Sequence, residues 1–488
     1  MSARPGGQKD TPQVDTMNRP TASRWPDRSV ERGATRPPSA GLLPSLLLGL
    51  ALTAYTVAML TREASAAVVV LPVVLVLVIA MTLIALNDLE TFVLVALAIR
   101  SSLDVFKGGA RASSPGALLG LLLLGLGGLW LVNRRVKLGA AFPASRLGLA
   151  FAAFGVVAFL GVLTSPSPGT ALDEWSRIAS IAVVFLVVEQ FAARGVGLGR
   201  FVAALGLSVL VPSAFALWQL TSGSGLRIAG GFHRITGTFV HSNPLAYFAV
   251  FTWFLMLAAY PVLRGTRRHA VAVVLVLTTG LILFSFTRSA WLVAVLGLLV
   301  LTFRHRSYVA VAAGCALLVL VAVSPPVQNR FADLETASQV SGKPANSLSW
   351  RVDYWKQALE IAEPSPIAGV GLRTVATTTT AAKQPHNDLV RAYVEVGIPG
   401  LVSYLVLLTL MVWCSLTAAV DASRRRLGGL ERAVTEAALV TALGVALLSL
   451  VANLMSQVVV MMYAVTILAL SSGAYLRRRR LDAEVVEG

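Results

Sequence analysis

The sequence predicts an all-α fold, a polytopic transmembrane helix bundle of about 12–14 spans with one large extracytoplasmic loop containing short helices. Hydrophobic residues make up 56% of the 488 residues and charged residues only 13%, and the mean hydropathy is +0.73. Apolar runs close to the roughly 20 residues that cross a bilayer recur from Gly41 to Leu476. No segment of ordinary soluble-domain size remains between them. The composition and the repeated runs therefore indicate an integral membrane protein.

The first 40 residues differ from the rest of the chain. They hold seven Arg or Lys and four acidic residues, with several Pro and Gly. Such a segment buries too little apolar surface to fold, and it lacks the order of charged, apolar and small residues of a cleavable signal peptide. We expect residues 1–40 to be a disordered basic cytoplasmic tail, followed by a signal anchor at 41–61.

The apolar runs form two groups on either side of the longest polar stretch. We expect N-terminal transmembrane helices at 41–324, the large extracytoplasmic loop at 325–398, C-terminal transmembrane helices at 399–476, and a cytoplasmic tail at 477–488. The individual runs lie near residues 41–61, 66–86, 90–106, 115–133, 146–164, 178–193, 201–221, 244–263, 270–286, 289–303, 308–324, 399–420, 435–456 and 458–476. The run at 90–106 is the weakest, because Arg100 and Asp104 interrupt it, and a re-entrant or interfacial helix is the alternative.

Arginine clusters set the expected orientation. They lie on alternate loops: Arg134, Arg135 and Lys137; Arg194 and Arg200; Arg264, Arg267 and Arg268; Arg304 and Arg306; Arg424 to Arg426; and Arg477 to Arg480. The positive-inside rule makes these loops and both termini cytoplasmic, and directs the loops at 222–243, around 287 and at 325–398 outward. Lys107 and Arg111 fall on the outer side as an exception.

We attribute the net charge of +17 to these cytoplasmic arginine clusters. The arginines are spread over one membrane face without an aromatic-interleaved patch, so no nucleic-acid partner is expected. Cys315 and Cys414 each sit inside an apolar run, where free cysteine behaves as a small hydrophobe. The sequence has no Cys/His/Asp/Glu cluster at metal spacing, no P-loop and no Gly-x-Ser-x-Gly elbow. We therefore expect no bound metal, no cofactor and no ATPase reaction.

The first outward loop gathers basic and polar residues just before a span: Arg227, His233, Arg234, His241 and Asn243. Pro244 suits the first turn of the following helix, with Asn243 as its cap. Exposed helix N-termini with nearby arginines suit phosphate oxygens, because orphan N–H groups and guanidinium forks both donate to them. The alternative is that these residues are solvated at the membrane interface.

The second outward loop follows from length. Residues 270–303 form a hydrophobic stretch of 34 residues, which is about 51 Å as one helix and too long for one span. The polar residues that interrupt it are Ser285, Thr287, Arg288 and Ser289. We expect two helices with Arg288 at the outer boundary, where it binds either bulk lipid phosphate or the phosphate of a lipid-linked substrate.

The third loop contains an amphipathic helix. Val352, Trp355, Leu359 and Ala362 follow helical spacing and form an apolar face, which we expect on the membrane or on the rest of the loop. The helix ends before Pro364. Arg351 and Tyr354 fall on another side, which is free to face a substrate cleft.

His386 and Asn387 lie at the start of a second short helix, predicted to run from about Asp388 to Val396 and to end at Gly397. An imidazole at this position is a candidate general base, because its usual pKa lies near neutral pH. A capping or surface histidine is the alternative.

Four groups of residues occur in order across these loops: Arg234-x-x-Gly237 with His241-Ser242-Asn243; Ser285-Phe286-Thr287-Arg288-Ser289; Arg351-x-x-x-Trp355 with Pro366-Ile367-Ala368-Gly369-Val370-Gly371; and His386-Asn387-x9-Gly397-x-x-Gly400. This set resembles the O-antigen ligase and O-antigen polymerase superfamily over roughly residues 90 to 475. The resemblance implies a fold like that of the C-type glycosyltransferases, with about twelve spans, three of which follow the large loop.

The resemblance also implies roles for individual residues. Arg234 and Arg288 match arginines thought to bind the donor's pyrophosphate, and His386 matches the histidine proposed to activate the acceptor hydroxyl. Four further residues are possible substrate-binding residues: Arg351, His241, Asn387 and Glu395. For Glu395 a structural cap or an ion pair is the alternative.

The implied function is an O-antigen ligase-like, inverting glycosyltransferase that moves a glycan from undecaprenyl pyrophosphate to an acceptor hydroxyl of lipid A core or a similar acceptor. Its partners are the lipid-linked donor, the glycan or lipid A core acceptor and membrane lipids. The expected location is the cell inner membrane, with the active site on the extracytoplasmic face. One alternative is a polymerase of lipid-linked repeats for O-antigen, capsule or exopolysaccharide, and a second is a polysaccharide or lipid transporter or flippase.

Overall fold

The computed structural model of the chain describes residues 66–106, 114–139, 142–229, 232–305, 347–379 and 384–487. Several sequence predictions lie outside these residues: the tail at 1–40, the spans at 41–61 and 308–324, Cys315, Lys107 and Arg111. Residues from Val74 onward form one compact unit. The other unit contributes only Ala66–Val73, which are helical.

The described unit is built almost wholly from helices. They are α1 (Ala66–Asn87), α2 (Leu89–Arg100), α3 (Pro115–Leu138), α4 (Arg146–Leu163), α5 (Pro168–Ala193), α6 (Leu198–Leu207), α7 (Leu210–Ser222), α8 (Ser242–Ala259), α9 (Gly265–Phe284), α10 (Arg288–His305), α11 (Ser347–Ala362), α12 (Thr374–Thr378), α13 (Asp388–Arg424), α14 (Gly429–Ser449) and α15 (Val458–Glu487). Nine helical segments among the described residues are long and apolar enough to cross a membrane. The predicted class, a polytopic helical membrane protein, is confirmed.

A short strand pair follows α7, which the sequence patterns did not indicate. Strands β1 (Arg227–Ala229) and β2 (Phe232–Arg234) are antiparallel, with Arg227 opposite Arg234. The pair ends beside the start of α8. It therefore fixes the position from which Arg234 enters the bundle.

The weakest predicted span, at 90–106, is short in the structure. Helix α2 ends at Arg100, and a 3-10 turn follows at Leu103–Phe106. The two charges that interrupt the run bind each other, with 2.7 Å between Arg100 Nη1 and Asp104 Oδ1 and both side chains buried. Pairing lowers the cost of burying two charges in a membrane protein.

Helices α5, α8, α14 and α15 form the centre of the bundle, and α15 packs along α5. Phe185, Phe248 and Phe251 are fully buried there. The outer helices expose apolar side chains instead, as Val136 and Val156 do on α3 and α4. Such side chains suit contact with lipid, whereas the interior is held by close packing between helices.

The arginine clusters collect at one end of the bundle. Arg134 and Arg194, at the ends of α3 and α5, both lie against the Trp130 ring, at 5.6 and 5.9 Å from its centroid. Arg304 at the end of α10 binds Glu436 near the start of α14, with 2.5 Å between Nε and Oε2. Arg478 near the end of α15 binds Glu431. These contacts join helix ends that the alternating loops place on one side.

Candidate functional site

Arg234 is buried at the opposite end of the bundle, where it joins three segments. Its Nε donates to the Ser285 carbonyl oxygen at 2.7 Å, and its Nη2 donates to Asn243 Oδ1 at 2.8 Å and Thr287 Oγ1 at 2.9 Å. The guanidinium thus ties β2 to the start of α8 and to the turn between α9 and α10. A positive charge held in this way is fixed in place, because three bonds define its plane.

The turn between α9 and α10 places Arg288 next to this group. Helix α9 ends at Phe284 and α10 begins at Arg288, which confirms the prediction that residues 270–303 fold as two helices. Phe286, within the turn, has φ 48°, a left-handed conformation that costs energy for a bulky residue. Arg288 is half-buried at the N-terminus of α10, and Thr287 contacts both Arg234 and Asn243.

Arg351 reaches the same region from the large loop. The Tyr247 hydroxyl on α8 lies 2.9 Å from Ser289 Oγ, one residue after Arg288. Both Arg351 and Arg234 interact electrostatically with the Tyr247 phenol. Partial burial lowers the pKa of Arg351, and the interaction with Tyr247 opposes this effect. An arginine remains charged at neutral pH after such a shift, so Arg351 adds a second cation near Tyr247.

The His386 turn is attached to the helix that carries Arg351. On α11, one turn after Arg351, Trp355 Nε1 donates to the Pro385 carbonyl oxygen at 2.6 Å. His386 is half-buried and has φ 55°. Its backbone N–H donates to Asn453 Oδ1 at 2.8 Å, and its Nδ1 lies 3.3 Å from Asn453 Nδ2. His386 has a left-handed backbone, and both its backbone N–H and its ring contact the Asn453 side chain. Its position is therefore preorganised.

Asn387 caps α13. Its Oδ1 accepts from the backbone N–H groups of Leu389 and Val390, at 3.0 and 3.1 Å. The predicted helix start at Asp388 is therefore confirmed, and so is its break at Gly397, where φ is 72° and ψ is −162°. These cap bonds give Asn387 a structural role at the site, and its predicted role in substrate binding stays a prediction.

The glycine-containing motifs form a close packing seam beneath the His386 turn. A Cβ on Gly397 would lie 2.0 Å from the Ile367 carbonyl oxygen, and a Cβ on Gly369 would lie 2.6 Å from the Gly397 backbone N. The Gly371 backbone N–H donates to the Glu395 carbonyl oxygen at 3.0 Å. The segment after α11 thus packs directly on the backbone of α13, which explains why glycine occurs in both motifs.

Glu395 lies in a buried ion cluster below this seam. Arg391 binds Glu395 with 2.9 Å between Nε and Oε2, and binds Glu174 on α5 with 2.5 Å between Nη2 and Oε1. Of the roles left open for Glu395, the structure shows the ion pair. Arg177 and Arg373 also contact Glu174.

One local prediction was wrong. Asn243 does not cap α8: the helix begins at Ser242 after His241, and the Asn243 side chain instead binds Arg234. His241 is exposed at the cap position. On α11, Tyr354, Ala358 and Ala362 are buried while Val352 and Leu359 are exposed, and the predicted placement of the apolar face on the membrane or on the rest of the loop stays a prediction.

Sequence reasoning missed the residues that hold the candidate site together. Tyr247, Arg391 and Asn453 carry no local signal, because their partners are distant along the chain. A polar residue in an apolar run, such as Tyr247 in α8, was the one available hint. Among the described residues, no group of three or more His, Cys, Asp or Glu side chains is arranged to hold a metal ion.

The fold and the site together define a polytopic helical membrane protein with a cationic cluster and a histidine turn at one end of its bundle. Residues 273–405 match the family model described as O-antigen ligase. The predicted resemblance to the O-antigen ligase and polymerase superfamily is thereby confirmed. The matched segment includes Arg288, Arg351 and His386, whereas Arg234 and His241 precede it.

Among curated proteins, no significant match to the chain was found. The family match supports a membrane glycan ligase or polymerase of cell-envelope polysaccharide synthesis, and it implies lipid-linked glycans and membrane lipids as partners.

Proposed function

We propose that the chain is an inverting glycosyltransferase that moves a glycan from undecaprenyl pyrophosphate to a hydroxyl of lipid A core or a similar acceptor. The observation that carries this proposal is the series of contacts joining the cations to the histidine turn. Arg234 contacts the turn that leads to Arg288, and the Tyr247 phenol bonds Ser289 beside that turn and interacts electrostatically with Arg351. The helix of Arg351 holds the His386 turn through Trp355.

The chemistry requires both kinds of group. The acceptor oxygen bonds to the anomeric carbon as the bond from that carbon to the pyrophosphate oxygen breaks, and the leaving pyrophosphate takes the electron pair. Fixed guanidinium groups stabilise the leaving charge in a water-poor environment. His386 accepts the proton of the attacking hydroxyl. Attack opposite to the leaving group inverts the anomeric centre.

We place the site on the extracytoplasmic face of the cell inner membrane. The arginine clusters at the other end of the bundle support this orientation, since basic residues mark the cytoplasmic side. Lipid-linked donors present their pyrophosphate at the membrane surface, which suits cations at a helix boundary. The substrate-binding roles of His241, Asn387 and Glu395 stay predictions.

The test supplies purified protein in liposomes with undecaprenyl pyrophosphate-linked glycan, alone and with lipid A core. One shifted species that requires lipid A core supports the ligase. A ladder from the donor alone identifies a polymerase of repeat units for O-antigen, capsule or exopolysaccharide. Transfer of glycan across the bilayer without any new glycosidic bond identifies a transporter or flippase and contradicts the proposal.

The His386→Ala variant tests the assigned base. We expect it to insert normally and to lose product formation by a factor on the order of 100 or more. His269→Ala is the matched control, because His269 is exposed near the start of α9 at the arginine-rich end. Normal product from His386→Ala excludes the base role.

A further inference from the structure

The loop between α14 and α15, residues 450–457, contributes Asn453 to the His386 turn. Asn453 follows the segment that matches the family model. Its side chain makes two contacts with one residue: Oδ1 accepts from the His386 backbone N–H at 2.8 Å, and Nδ2 lies 3.3 Å from the His386 ring Nδ1.

The first contact fixes the orientation of the Asn453 amide. A backbone N–H can only donate, so the amide atom facing it must be the oxygen. The amide NH₂ then faces the ring of His386, and an NH₂ group can only donate. His386 Nδ1 therefore accepts and carries no proton, which leaves the proton of the neutral ring on Nε2.

The loop is itself held firmly, so this orientation is built into the fold. Asp388 Oδ2 accepts from the backbone N–H groups of Leu454 and Met455, at 2.8 and 3.1 Å. Arg391 Nη1 donates to Ser456 Oγ at 2.7 Å. The first turns of α13 thus clamp the residues that directly follow Asn453, and α13 begins two residues after His386.

We propose that Asn453 is a positioning residue that holds neutral His386 with its proton on Nε2, so that Nδ1 is the atom that accepts the proton of the acceptor hydroxyl. The inference rests on the proposed function, in which His386 is the general base. It adds the identity of the basic atom and the residue that selects it.

The proton transfer follows from this arrangement. The acceptor hydroxyl takes the place of the Asn453 amide N–H, whose 3.3 Å contact is longer than the usual N–H bond of about 2.9–3.0 Å. The hydroxyl O–H bond breaks, its proton moves to Nδ1, and its oxygen bonds to the anomeric carbon as the pyrophosphate leaves. When the oxygen has left with the product, the imidazolium Nδ1–H again faces the donor NH₂ of Asn453. Two facing donors disfavour the charged ring, which releases the proton to water.

Nitrogen NMR reads the tautomer without using activity. Protein with ¹⁵N-labelled histidine is placed in liposomes at alkaline pH, where the ring is neutral, and the His386 signals are assigned by their loss in His386→Gln. We expect an unprotonated Nδ1 and a protonated Nε2. A wild-type spectrum with the proton on Nδ1 overturns the inference, whatever the enzyme assay shows.

Asn453→Asp provides the second arm. Its carboxylate can still accept from the His386 backbone N–H, and it also accepts from the ring, so it moves the proton to Nδ1. We expect the NMR pattern to reverse and the transfer rate to fall by a factor on the order of 100. Asn87→Asp is the matched control, because Asn87 is exposed and its side chain donates to the Leu83 carbonyl oxygen of its own helix. An unchanged or faster rate in Asn453→Asp overturns Nδ1 as the base.

The two proposals fail in different ways. If His386→Ala stays active, the proposed base function is wrong. If His386→Ala is inactive while wild-type Nδ1 carries the proton, the base function stands and the role of Asn453 is wrong.

Discussion

Arg391 and Glu174 form a buried ion pair between residues 217 positions apart, with 2.5 Å between Nη2 and Oε1. Their side chains are 0% and 3% exposed. Because Arg391 also binds Glu395 and Ser456, one guanidinium joins α5, α13 and the loop that carries Asn453. The stability of the bundle and the geometry of the His386 turn therefore depend on the same charge cluster.

Glu174→Ala removes the ion pair between Arg391 and Glu174. The ion pair between Arg391 and Glu395 remains. Breaking a buried ion pair from one side costs roughly 3–5 kcal/mol. We expect a clear fall in the Tm of the detergent-solubilised protein. The control is Asp482→Ala, which removes an exposed partner of Arg425 and should leave the Tm unchanged. Equal Tm values for Glu174→Ala and the wild type would contradict the role of the cluster.

Gly397→Ala tests the packing seam. The new Cβ would lie 2.0 Å from the Ile367 carbonyl oxygen, and the φ of 72° is unfavourable for alanine. Backbone would have to move, so we expect loss of folded protein on size-exclusion chromatography. Gly428→Ala is the control, because apart from its chain neighbours no residue that the structure describes lies within 4 Å of its Cβ position. Normal yield of Gly397→Ala would show that the seam tolerates a side chain.

Features that depend on neighbouring residues, such as helix spans, helix breaks and turns, could be predicted from the sequence. The apolar runs predicted the class of fold, and the length of 270–303 predicted two helices around Arg288. Gly397 marked the break in α13, because glycine is favoured where φ is positive. The ordered motifs around His386 led to the family that the 273–405 match supports.

Contacts between distant residues could not be predicted in this way. Asn453 lies 67 positions from His386, and Arg234 reaches Ser285 across 51 positions. Neither pairing produces a periodic pattern in the sequence, because each depends on how the helices pack. Asn243 illustrates the error: its position before Pro244 suits a helix cap, but the buried Arg234 binds its side chain more strongly than a helix terminus would.

Arg234→Lys keeps the charge but removes the planar fork. Lysine cannot bind Ser285, Asn243 and Thr287 together in the geometry of Arg234. Each bond from a charged group contributes about 1.5–3 kcal/mol. We expect kcat/KM for the lipid-linked donor to fall about 10- to 100-fold, a loss equivalent to about one such bond. Arg135→Lys, at the arginine-rich end, should have no effect. Unchanged kcat/KM in Arg234→Lys would show that charge alone suffices.

Trp355→Phe tests whether the bond from Trp355 positions the His386 turn or stabilises α11. Phenylalanine keeps an aromatic ring, smaller than indole, but loses the donor to the Pro385 carbonyl oxygen, a contact of 2.6 Å. Leaving a buried acceptor without its partner costs about 1–3 kcal/mol, and the cost falls on the residue next to His386. We expect kcat to drop by roughly 5- to 100-fold, with little change in Tm because the ring still packs. Val352→Ala on the same helix removes an exposed side chain and should preserve kcat. A parallel loss of kcat and Tm in Trp355→Phe would mean that the bond stabilises α11 as a whole and does not specifically position the histidine.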